Sequence, residues 1–175
     1  MFESLLPQFA FPNFHPAVVH YPIALLTLAF ILDVTCLVLR SQTWLDRAAT
    51  LLYVLGTLSA CVAVISGQQA ADLMVGAPGA AQTAMYDHED LAKLTLVMFG
   101  IIASLRLIVS WRARRDKKVK TGALRIVAVV LAFCGQFLIL LTANRGGELV
   151  FSHGLGVDPS HTVEDTVDND ELLEP

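Results

Sequence analysis

Charge is scarce in this 175-residue chain: 16% of the residues are Asp, Glu, Lys or Arg, whereas 55% are hydrophobic. A soluble domain usually carries about a quarter charged residues, and the mean hydropathy here is +0.60. Several long runs contain no charge at all. The shortage excludes an ordinary soluble domain and gives no indication of nucleic-acid binding. The sequence predicts an all-α protein that crosses a membrane several times.

Cysteine and the common catalytic motifs are also sparse. The three cysteines, Cys36, Cys61 and Cys134, lie in apolar runs and form no CxxC pair, so we interpret them as small buried hydrophobic residues. The absence of CxxCH excludes covalent attachment of haem c. Neither a nucleophile–base triad, a phosphate-binding loop nor an HExxH motif is present. We therefore do not expect the chain to be an enzyme by itself.

The first apolar segment lacks the basic residues that precede the core of a signal peptide. Glu3 comes before it instead, and no small-residue cleavage site clearly follows. We therefore expect this segment to be a membrane-spanning helix that is retained in the protein.

Four apolar segments are long enough to cross a bilayer, which takes about 20 residues per helix. They predict a four-helix bundle within residues 15–157. We expect an interfacial lead at 1–14, and an acidic disordered tail at 158–175 because that segment is acidic and nearly free of aromatic residues. Asn144, Gly146 and Gly147 have the residue types that end helices. The predicted helices cover about 16–40, 47–67, 83–111 and 123–143.

The basic residues predict the orientation of the bundle. Seven of the 12 Lys and Arg residues lie between Arg112 and Arg125, and positively charged loops stay in the cytoplasm. Both termini are then outside, which is the periplasm in a Gram-negative bacterium. We therefore expect the bacterial inner membrane, with the histidines together on the outer side: His15, His20, His88, His153 and His161.

Two of these histidines are predicted to face each other. His15 and Asp33 are 18 residues apart, as are His88 and Arg106, and positions 18 apart share one helix face about 27 Å apart. An ion pair between Asp33 and Arg106 would satisfy two charges that lipid disfavours. If that pair forms, the same faces bring His15 and His88 together at the outer end.

The other candidate ligands are placed less directly. His20 lies about 140° around the helix from His15 and is predicted to meet another neighbour. The glycines around His153 allow the chain to return it to the helix ends. Arg145 could contact haem propionates, or could simply extend its charge to the membrane surface. Any one of these histidines could equally be an ordinary interfacial residue, and His161 belongs to the acidic tail.

Two segments carry a resemblance to a known family. HPAVVHYPIALL and GGELVFSHGLGV, between His15 and Val157, resemble the signatures of a bacterial family of four-helix membrane proteins, the domain of unknown function 2231. Tyr21 stands where Phe is more usual. The resemblance implies a four-helix inner-membrane domain with a histidine-rich outer side. Because members sometimes occur beside cytochrome and redox modules, it also favours haem.

The combined pattern predicts a b-type cytochrome-like electron-transfer subunit. One or two haem b groups would be bound by His15, His20, His88 and His153, and electrons would pass between a periplasmic cytochrome, quinone or another membrane redox subunit. The alternatives are a copper or zinc site, or a structural or assembly subunit of a homo- or hetero-oligomer. A transporter is disfavoured because no internal repeat is evident and few polar groups lie at mid-membrane.

Overall fold

The computed structural model describes residues 14–39, 43–72, 74, 77–115 and 122–156, and all regular structure in these ranges is α-helical. Four membrane-spanning helices are present by length and composition, which confirms the predicted fold class. The lead before Phe14, the tail from residue 158 and His161 lie outside the described residues. The helices are α1 (His15–Val18), α2 (His20–Leu39), α3 (Thr43–Asp72), α4 (Gly79–Arg115) and α5 (Gly122–Phe151).

The first membrane span consists of two helices, α1 and α2, separated at Val19. Pro16 occupies the first turn of α1, where a missing N–H costs little. Pro22 has no N–H to donate to Val18, and the next bond, from Ile23 N–H to the Val19 carbonyl, is long at 3.5 Å. The second proline therefore accounts for the interruption of the helix one turn after its start.

The four spans form two antiparallel hairpins. The first hairpin consists of α1, α2 and α3, and the second of α4 and α5; α3 packs on α4 and α2 packs on α5. Leu26, Tyr53 and Phe99 are fully buried among small residues such as Ala29 and Ala132. Many large side chains instead point outward, as expected where lipid is as apolar as the core and small residues allow close helix packing.

Glycine residues are where the helix boundaries differ most from the prediction. α3 continues through Gly67 to Asp72, and α5 continues through Gly146 and Gly147 to Phe151. The chain turns only at Gly154, which has φ 62° and donates its N–H to the Val150 carbonyl. The expected end of the fourth helix at Asn144 is therefore corrected. Gly67 and Gly146 allow close side-chain contact inside the bundle.

Candidate functional site

Two histidines from different hairpins meet at one end of the bundle. The ring centroids of His15 and His88 are 6.2 Å apart, with an interplanar angle of 80°. Both side chains are half-buried. This is the contact that the helix phase predicted, and we refer to these two residues as the histidine pair.

His15 is held against α3. Its Nδ1 lies 3.0 Å from the carbonyl oxygen of Ala63 and 3.1 Å from Oγ of Ser66. A carbonyl oxygen only accepts hydrogen bonds, so Nδ1 carries the proton in the neutral ring. Gly67 makes room for the ring, because a Cβ atom at that position would lie 2.9 Å from Cε1 of His15.

His88 is held against α5 in the same way. Its Nδ1 lies 3.0 Å from the carbonyl oxygen of Thr142, and a Cβ atom on Gly146 would lie 3.2 Å from its Cε1. The Thr142 hydroxyl in turn lies 3.0 Å from the hydroxyl of Thr95 on α4. The residue that supplies the acceptor carbonyl therefore also links α4 to α5.

The two backbone hydrogen bonds determine which nitrogen can act as a ligand. With Nδ1 protonated, the lone pair of each neutral imidazole resides on Nε2, the nitrogen through which histidine commonly binds metal ions. Metal-binding histidines typically donate their other N–H to a carbonyl or carboxylate, which holds the ring in position. The histidine pair has this arrangement on both sides.

The remaining predicted ligands are His20, His153 and Arg145. His20 is exposed on α2, and His153 is half-buried in the turn after α5. Arg145 is exposed, and its Nη1 lies 2.7 Å from Oε2 of Glu148 on the same helix. It also lines an open groove of about 290 Å³ with Asp87 and Asp90. The structure thus brings two of the four candidate histidines together, and it pairs Arg145 with a carboxylate.

The opposite end of the bundle contains two carboxyl and two guanidinium side chains. Nη1 of Arg106 lies 3.1 Å from Oδ1 of Asp33, so the predicted pair forms, and both side chains are almost completely buried. Nη2 of Arg106 lies 2.8 Å from Oδ1 of Asp46, and Nη2 of Arg125 lies 2.9 Å from Oδ2 of Asp46. We call Asp33, Asp46, Arg106 and Arg125 the charged cluster.

The sequence did not predict that Asp46 and Arg125 belong to this cluster. It also did not predict that Gly67 and Gly146 pack against the two histidine rings. Asp46 and Arg125 lie near the starts of α3 and α5, where either charge could have been assigned to the membrane surface. The buried hydroxyl of Tyr53 approaches Asp33 without a well-aligned hydrogen bond. The two acids and two bases balance one another, which is the condition under which buried charges are tolerated.

Comparison with known proteins identifies one family. Residues 12–159 match the family described as predicted membrane protein, DUF2231. No curated protein and no solved structure matches the chain. The match covers every helix that the structure describes and both histidines of the pair, and therefore the chain belongs to the DUF2231 family of predicted membrane proteins.

Proposed function

We propose that this protein is a b-type cytochrome-like electron-transfer subunit in which His15 and His88 hold one haem iron through their Nε2 atoms. The observation that carries the proposal is the histidine pair, with each Nδ1 bound to a backbone carbonyl. Haem supplies one-electron redox chemistry when it is bound. The side chains of this protein orient the imidazoles and surround them with a packed bundle.

The separation of the rings supports ligation from opposite sides of a metal. An imidazole nitrogen binds a metal at about 2.0 Å, so two rings on opposite sides have centroids about 6.4 Å apart, against about 5.2 Å at a tetrahedral angle. The observed 6.2 Å is close to the opposed value, and it is also the separation of an ordinary edge-to-face contact between two rings. His15 and His88 would hold the haem iron, and the haem would supply one-electron redox chemistry.

The basic residues support a location of this site on the outer side of a bacterial inner membrane. The last turn of α4 contains Arg112, Arg114 and Arg115, at the same end as the charged cluster. Since basic ends stay in the cytoplasm, the histidine pair faces the periplasm. Electrons would then pass between a periplasmic cytochrome and quinone or another membrane redox subunit.

A copper site is the second candidate, and the same geometry favours it. A reduced copper ion is a soft metal that binds imidazole, and two opposed rings can hold it without a macrocycle. Zinc prefers four tetrahedral ligands, so it would need two further ligands beyond the pair. The shared prediction is that both His15 and His88 are required.

Absorption spectra of the detergent-purified protein, oxidised and then reduced, test the proposal. We expect a Soret band and low-spin reduced bands, because two imidazoles complete the coordination of haem iron. His15→Ala and His88→Ala should give high-spin or haem-free protein. The exposed His20 supplies the matched control, and His20→Ala should keep the wild-type spectrum.

Three other results of this experiment would each lead to a different conclusion. A colourless protein that contains one copper ion per chain, lost in both variants, would replace haem by copper. A folded His15→Ala or His88→Ala protein with the wild-type spectrum would remove the pair from the ligand set. If the protein binds neither haem nor metal when expressed with both supplied, the structural or assembly role replaces the redox proposal.

The orientation has its own test. In a protein without its native cysteines, Arg114→Cys and Ser152→Cys place one thiol at each end of the bundle, both at exposed positions. A reagent that cannot cross the inner membrane should label Cys at 152 but not at 114 in intact cells. Labelling of the Arg114→Cys protein alone would reverse the proposed orientation.

A further inference from the structure

The two hairpins repeat the same arrangement of residues. His15, Leu26 and Asp33 are separated by 11 and 7 residues, and His88, Phe99 and Arg106 are separated by the same intervals. These positions are related by a shift of 73 residues. The second helices are related by a shift of 79 residues, which superimposes three positions of α3 on three of α5: Asp46 on Arg125, Gly56 on Gly135 and Gly67 on Gly146.

Equivalent residues also make equivalent contacts. Gly56 is in close contact with Leu26, and Gly135 is in close contact with Phe99, since a Cβ atom would lie 2.5 Å and 2.7 Å from those side chains. The histidines follow the same rule. In each hairpin, Nδ1 of the histidine binds the carbonyl four residues before the glycine against which the ring packs, Ala63 before Gly67 and Thr142 before Gly146.

The contacts between the hairpins locate an axis of approximate twofold symmetry. Residues related by a twofold axis can touch each other only near that axis. His15 touches its equivalent His88 at one end of the bundle, and Asp33 touches its equivalent Arg106 at the other. The axis therefore runs along the bundle, through both the histidine pair and the charged cluster.

The repeat is nearly absent from residue identities, which is why the sequence shows no evident repeat. Of the 19 aligned positions from His15 to Asp33 and from His88 to Arg106, only the histidines and Leu32 with Leu105 are identical. Apolar residues exchange freely where lipid surrounds a helix, and the charged positions have opposite signs because they pair with each other. The positions that packing constrains, the glycines and histidines, retain the pattern.

We infer that the chain contains two copies of one histidine-positioning hairpin, and that Gly67 and Gly146 are equivalent positioning residues that present His15 and His88 as two like ligands to one group on the axis. The inference rests on the proposed function for the identity of that group. The positioning itself does not depend on it. A methyl group at either glycine would crowd the ring and disturb its hydrogen bond to the carbonyl acceptor.

Nitrogen NMR of the metal-free protein with ¹⁵N-labelled histidine tests the positioning directly. Both rings should be neutral with the proton on Nδ1, since a carbonyl accepts from each. Signals are assigned from His15→Gln and His88→Gln. Gly67→Ala should alter chiefly the His15 signals and Gly146→Ala chiefly the His88 signals. Gly100→Ala is the matched control because its Cβ would meet nothing within 4 Å.

Titration with haemin gives the second readout. Each of Gly67→Ala and Gly146→Ala should weaken haemin binding about 10- to 100-fold, the usual effect of disturbing a group that orients a ligand. Gly67→Ala should have the larger effect because its Cβ approaches the ring more closely. Gly100→Ala should bind as the wild type does.

The two readouts separate the two proposals. The expected NMR pattern in a protein that binds neither haemin nor copper would refute the proposed function and leave the positioning intact. Histidines protonated on Nε2 in the wild type would overturn the inference even if the glycine variants fail to fold. Unchanged ring signals and unchanged haemin affinity in folded Gly67→Ala and Gly146→Ala would also overturn it, while the histidine variants decide the redox proposal.

Discussion

The two ends of the bundle use buried polar groups in opposite ways. At the charged cluster, two acids meet two bases, and Arg106 alone binds carboxylates from two helices. At the histidine pair, two like side chains meet, and each directs its N–H away from its partner to a backbone carbonyl. One end joins opposite charges, and the other brings two like side chains into contact.

This difference suggests that the charged cluster stabilises the fold, whereas the histidine pair serves ligand binding under the proposed function. Opposite charges at equivalent positions compensate each other, so the charged cluster joins the hairpins without any added group. Two neutral imidazoles make only a weak contact with each other, and under the proposed function both would bind a third group. We therefore expect substitutions at the charged cluster to affect folding and substitutions at the histidine pair to affect ligand binding.

The largest expected effect is at Arg106. Arg106→Gln leaves Asp33 and Asp46 buried without their shared cation, which should lower the free energy of unfolding by about 3–5 kcal/mol. The measurement is an SDS-unfolding titration in mixed micelles. Adding Asp33→Asn to Arg106→Gln should recover part of the loss. A double variant no more stable than the worse single variant would contradict the ion pair.

The next effect is expected midway between the ends. Gly135→Ala places a Cβ 2.7 Å from Cζ of Phe99, and overpacking of this kind costs about 1–3 kcal/mol. The same unfolding titration measures it, with Gly100→Ala as the control. Phe99→Leu should partly rescue the variant by removing the ring. Full stability of Gly135→Ala would show that α4 and α5 do not pack as closely as described.

A smaller effect on stability is expected at the histidine pair. His88→Ala removes one hydrogen bond to the Thr142 carbonyl, worth about 1 kcal/mol, yet it should abolish the low-spin haem spectrum. Unfolding and absorption are measured on the same preparation. If His88→Ala destabilises the bundle as strongly as Arg106→Gln does, the contrast between the two ends disappears and the histidines are structural.

The smallest effect is expected at Arg145. This side chain is exposed and its partner Glu148 lies one turn away on the same helix, so Arg145→Gln should leave the unfolding titration unchanged. The groove beside it contains Asp87 and Asp90, which disfavours haem propionates there, and haemin affinity should change less than twofold. A tenfold loss of affinity would restore the propionate contact that the sequence suggested.

The sequence by itself was sufficient for the architecture. Uninterrupted apolar runs determine the number of spans, since a helix satisfies its own backbone groups in lipid. Helix periodicity was also enough to pair Asp33 with Arg106 and to place His15 opposite His88, because residues 18 apart must share a face. These conclusions depend on local geometry that a regular helix imposes on any sequence.

Only the tertiary structure decided how the glycines and the remaining charges are used. Glycine is a residue type that commonly ends helices, but Gly67 and Gly146 lie inside α3 and α5. Each makes room for a histidine ring from the neighbouring helix. Asp46 and Arg125 are assigned to the charged cluster only by the ion pair that they form with each other in the folded protein. The repeat is likewise invisible in residue identities, since lipid-facing positions vary freely and the contacts that preserve the pattern join residues far apart in the chain.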